Sequence, residues 1–325
     1  MRSLMVRLAM LFGVLAMISA PAALAQERMS IATGGTGGVY YPYGGGLADL
    51  LSEQLEGYEF TAEVTSASVD NMYLIDQGDA DLAFVLSDTA YDAVQGNEPF
   101  EDPINARSLV TLYNNFTQVV VNPESGIESL EDLAGKTVST GSPGSGTEVI
   151  AQRLLEVAGL STDDFQQEQL GASESAAAFK DGKIDAFFWS GGLPTSAITD
   201  LGATPNISYE LLSTDEYVEE MQEQFGQFYD VDTIPADTYP DQSEAVETIV
   251  VPNVLVVHAD MDEQLAYDIV RTMFEHKDEL VAVHSAANNL QLETAMSSTA
   301  LEYHPGAVRY FEEQGVDIPE ATPAS

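Results

Sequence analysis

The chain has 325 residues, 11 Lys+Arg against 53 Asp+Glu, a formal charge of −42, and no cysteine. Its length suggests two domains with real cores, and the lack of Cys excludes disulfides, thiol nucleophiles and Cys-ligated metal centres. The four His (His258, His276, His284, His304) have no paired metal-ligand spacing, so neither a metal nor a cofactor is expected. Nucleic-acid binding is not expected either, because phosphate contact needs a basic surface.

Arg2 and Arg7 precede an apolar run from Leu8 to Ile18, and Ala23-Leu24-Ala25 gives a small-x-small cleavage pattern. This reads as a secretory signal peptide over 1–25, and the run is too short to span a bilayer. The expected mature protein, 26–325, is exported, periplasmic or extracytoplasmic, and not membrane-embedded. It keeps nine basic residues against 53 acids, a net of −44. The acids are dispersed rather than gathered in a block. That favours a surface adapted to concentrated salt over a polycation-binding face.

From Met29 the pattern is α/β. Met29–Thr33 reads as a strand, followed by a glycine-rich turn and a helix with Leu47, Leu50, Leu51 and Leu55 on one face. Glu59–Thr65 alternates as a strand, Ser68 is expected to cap a helix ending at Gly78, and Asp81–Leu86 is a short strand. A second set follows: strand Lys136–Ser139, helices Thr147–Ala158 and Ser173–Asp181, strand Ile184–Phe188. Such alternation implies parallel sheets covered on both faces. Two longer β-rich stretches, Leu109–Val121 and Thr248–His258, suit crossings between two lobes. Asp260-x-x-Glu263 is expected to open a C-terminal helix. The expected architecture is a two-lobed, periplasmic-binding-protein-like (type II-like) fold. Lobe one is 27–116 plus 253–325, lobe two is 117–252, and the ligand cleft lies between them.

Two glycine-rich turns carry the chemistry. Thr33 to Pro42 holds Gly34, Gly35, Thr36, Gly37, Gly38 and Tyr40 between a strand and a helix. Glycines permit close backbone approach, and a helix N-terminus aims free N–H groups at an anion. The dinucleotide fingerprint fails, because Tyr40 stands where its third glycine belongs, and no P-loop lysine follows. Gly141-Ser142-Pro143-Gly144-Ser145-Gly146-Thr147 repeats the arrangement later in the chain. A serine hydrolase using Ser142 or Ser145 is the competing reading, but Pro143 occupies the position of an elbow serine and no base is evident. Two such cradles favour clamping a small anion. Ser68 with Asn71, Ser87-Asp88, and Trp189 with Gly191 are smaller candidates, while Tyr229 and Tyr239 mark an irregular aromatic segment.

These residues resemble, in order, the substrate-binding protein of a tripartite ATP-independent periplasmic (TRAP) transporter, of the TRAP-associated extracytoplasmic immunogenic (TAXI) type. The matching segments are GGTGGVYYPYGGGLA at 34–48, the Ser68-x-x-Asn71 pair, GDADLAFVLSD at 78–88 and GIESLEDLAGKTVSTGSPGSGT at 126–147. DGKIDAFFWSGGLP at 181–194, IPADTY at 234–239 and HPGA at 304–307 complete the series. The resemblance implies capture of a small organic anion, glutamate- or dicarboxylate-like, and delivery to a sodium-coupled membrane permease. It implies no enzymatic activity, and a monomer is expected. By motif, the implied ligand contacts are Thr36, Gly37, Gly38, Tyr40, Ser68, Asn71, Ser87 and Asp88 on one side of the cleft. Ser142, Ser145, Gly146, Thr147, Trp189 and Gly191 face them. The family often has glutamine before the Ser-Asp pair, where this chain has Leu86. A ligand-binding protein that reports to a membrane sensor is an alternative of the same kind.

Overall fold

The computed structural model describes residues 26–298 and 300–318, so the expected signal peptide lies outside the described residues. In chain order the first elements are β1 (Glu27–Ala32), α1 (Tyr40–Gln54), β2 (Tyr58–Glu63), α2 (Ser68–Gln77), β3 (Leu82–Leu86), α3 (Ser87–Gln95) and β4 (Ala106–Val121). Next come β5 (Thr137–Ser139), α4 (Gly146–Val157), β6 (Gln166–Glu168), α5 (Ala172–Lys180), β7 (Ala186–Gly191), α6 (Ser196–Gly202), β8 (Glu210–Leu212) and α7 (Val218–Phe225). The last are β9 (Asp230–Ile234), β10 (Val246–His258), α8 (Glu263–Glu275), α9 (Lys277–Val283) and α10 (Pro305–Glu313).

The strands run β2-β1-β3-β10-β4-β7-β5-β6, with β8 on β4 and β9 on β10. Pairings within β1–β3 and within β5–β7 are parallel, as βαβ crossovers require, while β4 and β10 run antiparallel to their neighbours. The two long strands exchange partners along their length. β10 pairs with β3 over Asn253–Val257 and with β9 over Val246–Val250, and β4 reaches β7 only from Phe116 onward. Two parallel sets of strands are thereby joined through one antiparallel pair into a single ten-stranded sheet, and the fold is the mixed α/β, two-lobed arrangement.

Each parallel set of strands has its own cores. Ile31, Leu47, Leu51, Phe84 and Leu255 pack under α1, α8 and α10 on one side of the crossing. On the other side Val138, Ile150, Leu154 and Phe188 pack under α4. Val85, Met72, Ala90 and Val254 form a further cluster under α2 and α3. The fully apolar Leu82–Leu86 is buried on both faces, which explains why it lacks the alternation of a half-exposed strand.

Several local expectations are corrected. Ser68 does not cap α2: Ala67 occupies that position with φ 79°, and Ser68 Oγ accepts instead from the Leu86 N–H at 3.1 Å. The cap of α8 is Asp262, whose Oδ1 accepts from Leu265 N at 3.0 Å, and not Asp260. Residues following Tyr229 form a strand rather than an irregular segment, because β10 offers them a free edge.

Candidate functional site

A cavity of about 300 Å³ lies where the two parallel sets of strands meet. Four helices open onto it. The turn after β1 brings Thr36, Gly37, Gly38 and Val39 to the start of α1, and Ala67-Ser68 begin α2. Across the gap, Ser142, Ser145, Gly146 and Thr147 surround the start of α4, and Gly171-Ala172-Ser173 the start of α5. Each helix leaves its first N–H groups without intrahelical acceptors and carries roughly half a positive charge at that end. Side-chain capping relieves this only at α4, where Ser145 Oγ accepts from Glu148 N at 3.1 Å; α1, α2 and α5 have no side-chain cap. At α2 the Asp70 N–H is met by Gly144 O, and residues of all four N-terminal turns line the cavity.

No Lys, Arg or His lines it. Arg107 pairs with Glu302 at 3.0 Å, and Lys136 donates to Ser125 O at 2.6 Å. The one carboxylate on the wall is Glu174, in the first turn of α5. Backbone dipoles and hydroxyls therefore supply the electrostatics, a combination suited to a small anion. Among the described residues no cluster of ligating side chains suits a metal ion.

The floor is built from the crossing strands. Tyr40 O–H donates to Asn253 Oδ1, Asn253 Nδ2 donates to Asn115 Oδ1 at 2.6 Å, and Asn115 Nδ2 lies 3.5 Å from Ser190 O. This chain ties α1 to β10, β4 and β7. Burial pushes the Tyr40 phenol well above its ordinary pKa, so it remains a neutral donor. Trp189 is fixed as a side wall by its Nε1–H, which donates to Thr195 Oγ1 at 2.9 Å. Thr147 Oγ1 accepts from Ser190 N at 3.2 Å, joining α4 to the end of β7.

The two sides touch across the cavity mouth. Ser196 Oγ donates to Gly37 O at 3.0 Å, and Asp70 N donates to Gly144 O at 3.2 Å. Glycine permits two further close approaches. A Cβ on Gly38 would sit 2.8 Å from the Trp189 ring, and one on Gly146 would meet Leu86 Cδ1 at 2.5 Å and Ser68 Oγ at 2.8 Å.

Of the fourteen residues expected at the site, eleven line this cavity: Thr36, Gly37, Gly38, Tyr40, Ser68, Ser142, Ser145, Gly146, Thr147, Trp189 and Gly191. Three do not. Asn71 is buried behind the wall, its Nδ2 donating to Thr33 O and Phe84 O at 2.8 Å each. Ser87 is buried at the start of α3 beside Tyr229 and Pro252, facing a separate recess. Asp88 turns away to Arg153 of α4 and to Tyr229, whose O–H donates to its Oδ2 at 2.8 Å. The pairing neutralises Asp88, which leaves Glu174 as the one carboxylate on the wall.

Leu86 does line the cavity, packed where Gly146 passes. Other wall residues lay beyond the sequence reading: Tyr113 and Asn115 from β4, Ser190 from β7, and the start of α5. Asn115 carried one signal, an Asn-Asn pair in the middle of a strand; Gly171-x-Ser173 carried another, a third small-residue turn opening a helix. For the competing hydrolase reading, Ser142 and Ser145 are present but no histidine is on the wall to serve as base.

A family model described as the NMT1-like family matches residues 31–315. Solved structures share the fold at low identity. The binding-protein component of an ABC phosphonate transporter from Pseudomonas aeruginosa is 13% identical, with TM-score 0.52, over 82% of this chain and 80% of that one. A Bordetella bronchiseptica protein is 17% identical, with TM-score 0.52, over 91% of each chain. A Xanthomonas citri protein solved with bound chloride is 14% identical, with TM-score 0.51, over 88% of this chain and 95% of that one.

Proposed function

The chain belongs to the NMT1-like family, and from that premise we propose that it is an extracytoplasmic solute-binding protein that clamps a small organic anion and delivers it to a membrane transporter. One observation carries this reading: four helix N-termini, three without side-chain caps, open onto one cavity whose wall has no basic residue. Its volume of about 300 Å³ suits a metabolite rather than a polymer. The eleven wall residues named above are the proposed contacts. The proposed lobes are 27–116 plus 253–325 and 117–252, which would close on the ligand from either side. A carboxylate held by amides and hydroxyls is the recognised group, in a ligand of glutamate or dicarboxylate size. Export by the 1–25 segment is part of the proposal, and no described helix is long and apolar enough to cross a membrane.

For the membrane partner we infer a sodium-coupled TRAP permease, on the ordered set of TAXI-like motifs. An ATP-driven permease is the second reading, favoured by the fold shared with the phosphonate transporter component. Uptake into vesicles containing the permease encoded beside this gene separates them: a sodium gradient drives the first, ATP the second.

Calorimetry in molar salt against glutamate, glutamine, 2-oxoglutarate, succinate and fumarate tests the site. Ser145→Ala should cost about 1–3 kcal/mol of binding, roughly five- to 150-fold in Kd, as for hydrogen bonds to a charged group. Thr36→Ala, at the exposed mouth opposite, should weaken the same ligand. A parent that binds one of these acids with no change in either variant refutes the paired cradle.

A further inference from the structure

Most polar side chains on the cavity floor are already engaged. Tyr40 is bonded to Asn253, Asn115 accepts from Asn253, and Ser145 and Thr147 each accept a backbone N–H. Two are not. Tyr113 and Ser190 are 3% and 5% exposed, both line the cavity, and neither hydroxyl has a hydrogen-bond partner in the protein. Buried hydroxyls are ordinarily paired, because desolvation without a partner is costly. The Tyr113 ring cannot swing away easily: it lies parallel to the Tyr43 ring at 6.0 Å and is abutted by Gly192, whose Cβ would fall 2.8 Å from it. Burial holds its phenol well above its ordinary pKa, so it keeps a proton to donate.

We infer that Tyr113 and Ser190 are specificity-determining residues that donate to a second oxygen of the ligand, beyond the carboxylate held by the helix N-termini. The inference rests on the anion-binding reading and narrows its ligand class to two-ended acids. The second end is an acceptor oxygen, whether carboxylate, carbonyl or hydroxyl. A plain aliphatic monocarboxylate leaves both hydroxyls unpaired and is rejected, since a site built to hydrogen-bond a group discriminates strongly against its absence.

Succinate and butyrate share a four-carbon chain and differ at one end, so they are the probes, with glutamate and 2-oxoglutarate beside them. Calorimetry in molar salt compares the parent with Tyr113→Phe, Ser190→Ala and Tyr43→Phe, the last removing a buried unpaired hydroxyl that does not line the cavity. At least one two-ended acid should bind about tenfold or more tighter than butyrate. Tyr113→Phe and Ser190→Ala should each weaken that acid about three- to tenfold, with Tyr43→Phe unchanged. Ligand-free Tyr113→Phe should melt no lower than the parent, because it loses a hydroxyl with no partner; a structural role predicts a lower melting temperature. Butyrate binding as tightly as the two-ended acids, or affinity unmoved in both cavity variants, overturns the inference and leaves anion binding standing. Failure of every acid to bind overturns the anion-binding reading, and this inference with it.

Discussion

Arg153 of α4 reaches Asp88 of α3, with Nη1 3.2 Å from Oδ2, and its Nη2 meets Asp92 Oδ2 at 2.5 Å. α3 follows β3 and α4 follows β5, in different parallel sets of the one sheet, so one buried cation spans the junction between them. The side chains are 13%, 0% and 8% exposed for Arg153, Asp88 and Asp92, so solvent and salt screen the group only weakly. Burial pulls the guanidinium pKa down, but Tyr229, Asp88 and Asp92 outweigh it and the net shift is upward; Arg153 stays charged. Removing it strands two carboxylates.

Arg153→Met should therefore destabilise the fold by about 3–5 kcal/mol, the usual cost of an uncompensated buried charge. Adding Asp88→Asn and Asp92→Asn should restore most of the loss, since the charges that need Arg153 are then gone. Denaturant unfolding in constant salt measures both. A single variant within about 1 kcal/mol of the parent would mean that the junction tolerates unpaired acids.

Gly146 gives a test of closure. Its φ is outside the left-handed region, so alanine suits the backbone, but a Cβ there would collide with Leu86 and Ser68 across the gap. Gly146→Ala should prop the two sides apart, weakening ligand at least tenfold while changing unfolding free energy by under about 1 kcal/mol. X-ray scattering should show a larger radius of gyration for the variant under ligand-saturated conditions. Equal radii with unchanged affinity would show that the contact yields without opening the site.

How much of this was legible in the sequence depends on whether the cause is local. The two glycine-rich turns stand out because close approach and free helix N-termini need several small residues in a row, and both turns line the cavity. The βαβ pattern was legible for the same reason, since period and caps are local. Asp88 was not: its partner Arg153 is 65 positions away, and no spacing rule connects them. Ser68 looked like a cap because Ser at a helix start usually is one, yet its hydroxyl serves Leu86 N, 18 positions on. Tyr113 sits in the part of β4 that pairs with β10, and Ser190 in the part of β7 opposite Thr117, so tertiary pairing and not local sequence brings both to the cavity.

Surface charge yields a prediction independent of the site. With 53 acids and 11 bases, self-repulsion in dilute buffer opposes compaction, and the screening length falls from about 10 Å at 0.1 M salt to about 3 Å at 1 M. The melting temperature should climb steadily across that range. Sodium chloride and potassium chloride should act alike if screening is the cause. A melting temperature indifferent to salt would remove the case for a salt-adapted surface.

His304 sets a pH dependence whose sign can be worked out. It is buried at the start of α10, where Nδ1 accepts from Gly306 N at 3.2 Å and Nε2–H donates to Met261 O at 3.0 Å. Only the neutral ring can do both. Burial lowers its pKa below the ordinary 6.5, an effect that the Met261 and Ala259 carbonyls oppose without overcoming. A folded-state pKa below the unfolded one means that its contribution to stability is complete above about pH 6.5 and is lost as pH falls through the lower folded value. His304→Asn keeps a capping acceptor but has no proton to gain in that range. Unfolding free energies for both proteins, at pH 8, 6.5 and 5 in molar salt, isolate the effect, because carboxylate titration is common to the pair. The advantage of the parent over the variant should be largest at pH 8 and shrink toward pH 5. A difference that stays flat, or grows on acidification, would mean that His304 accepts its proton in the fold as readily as in the unfolded chain.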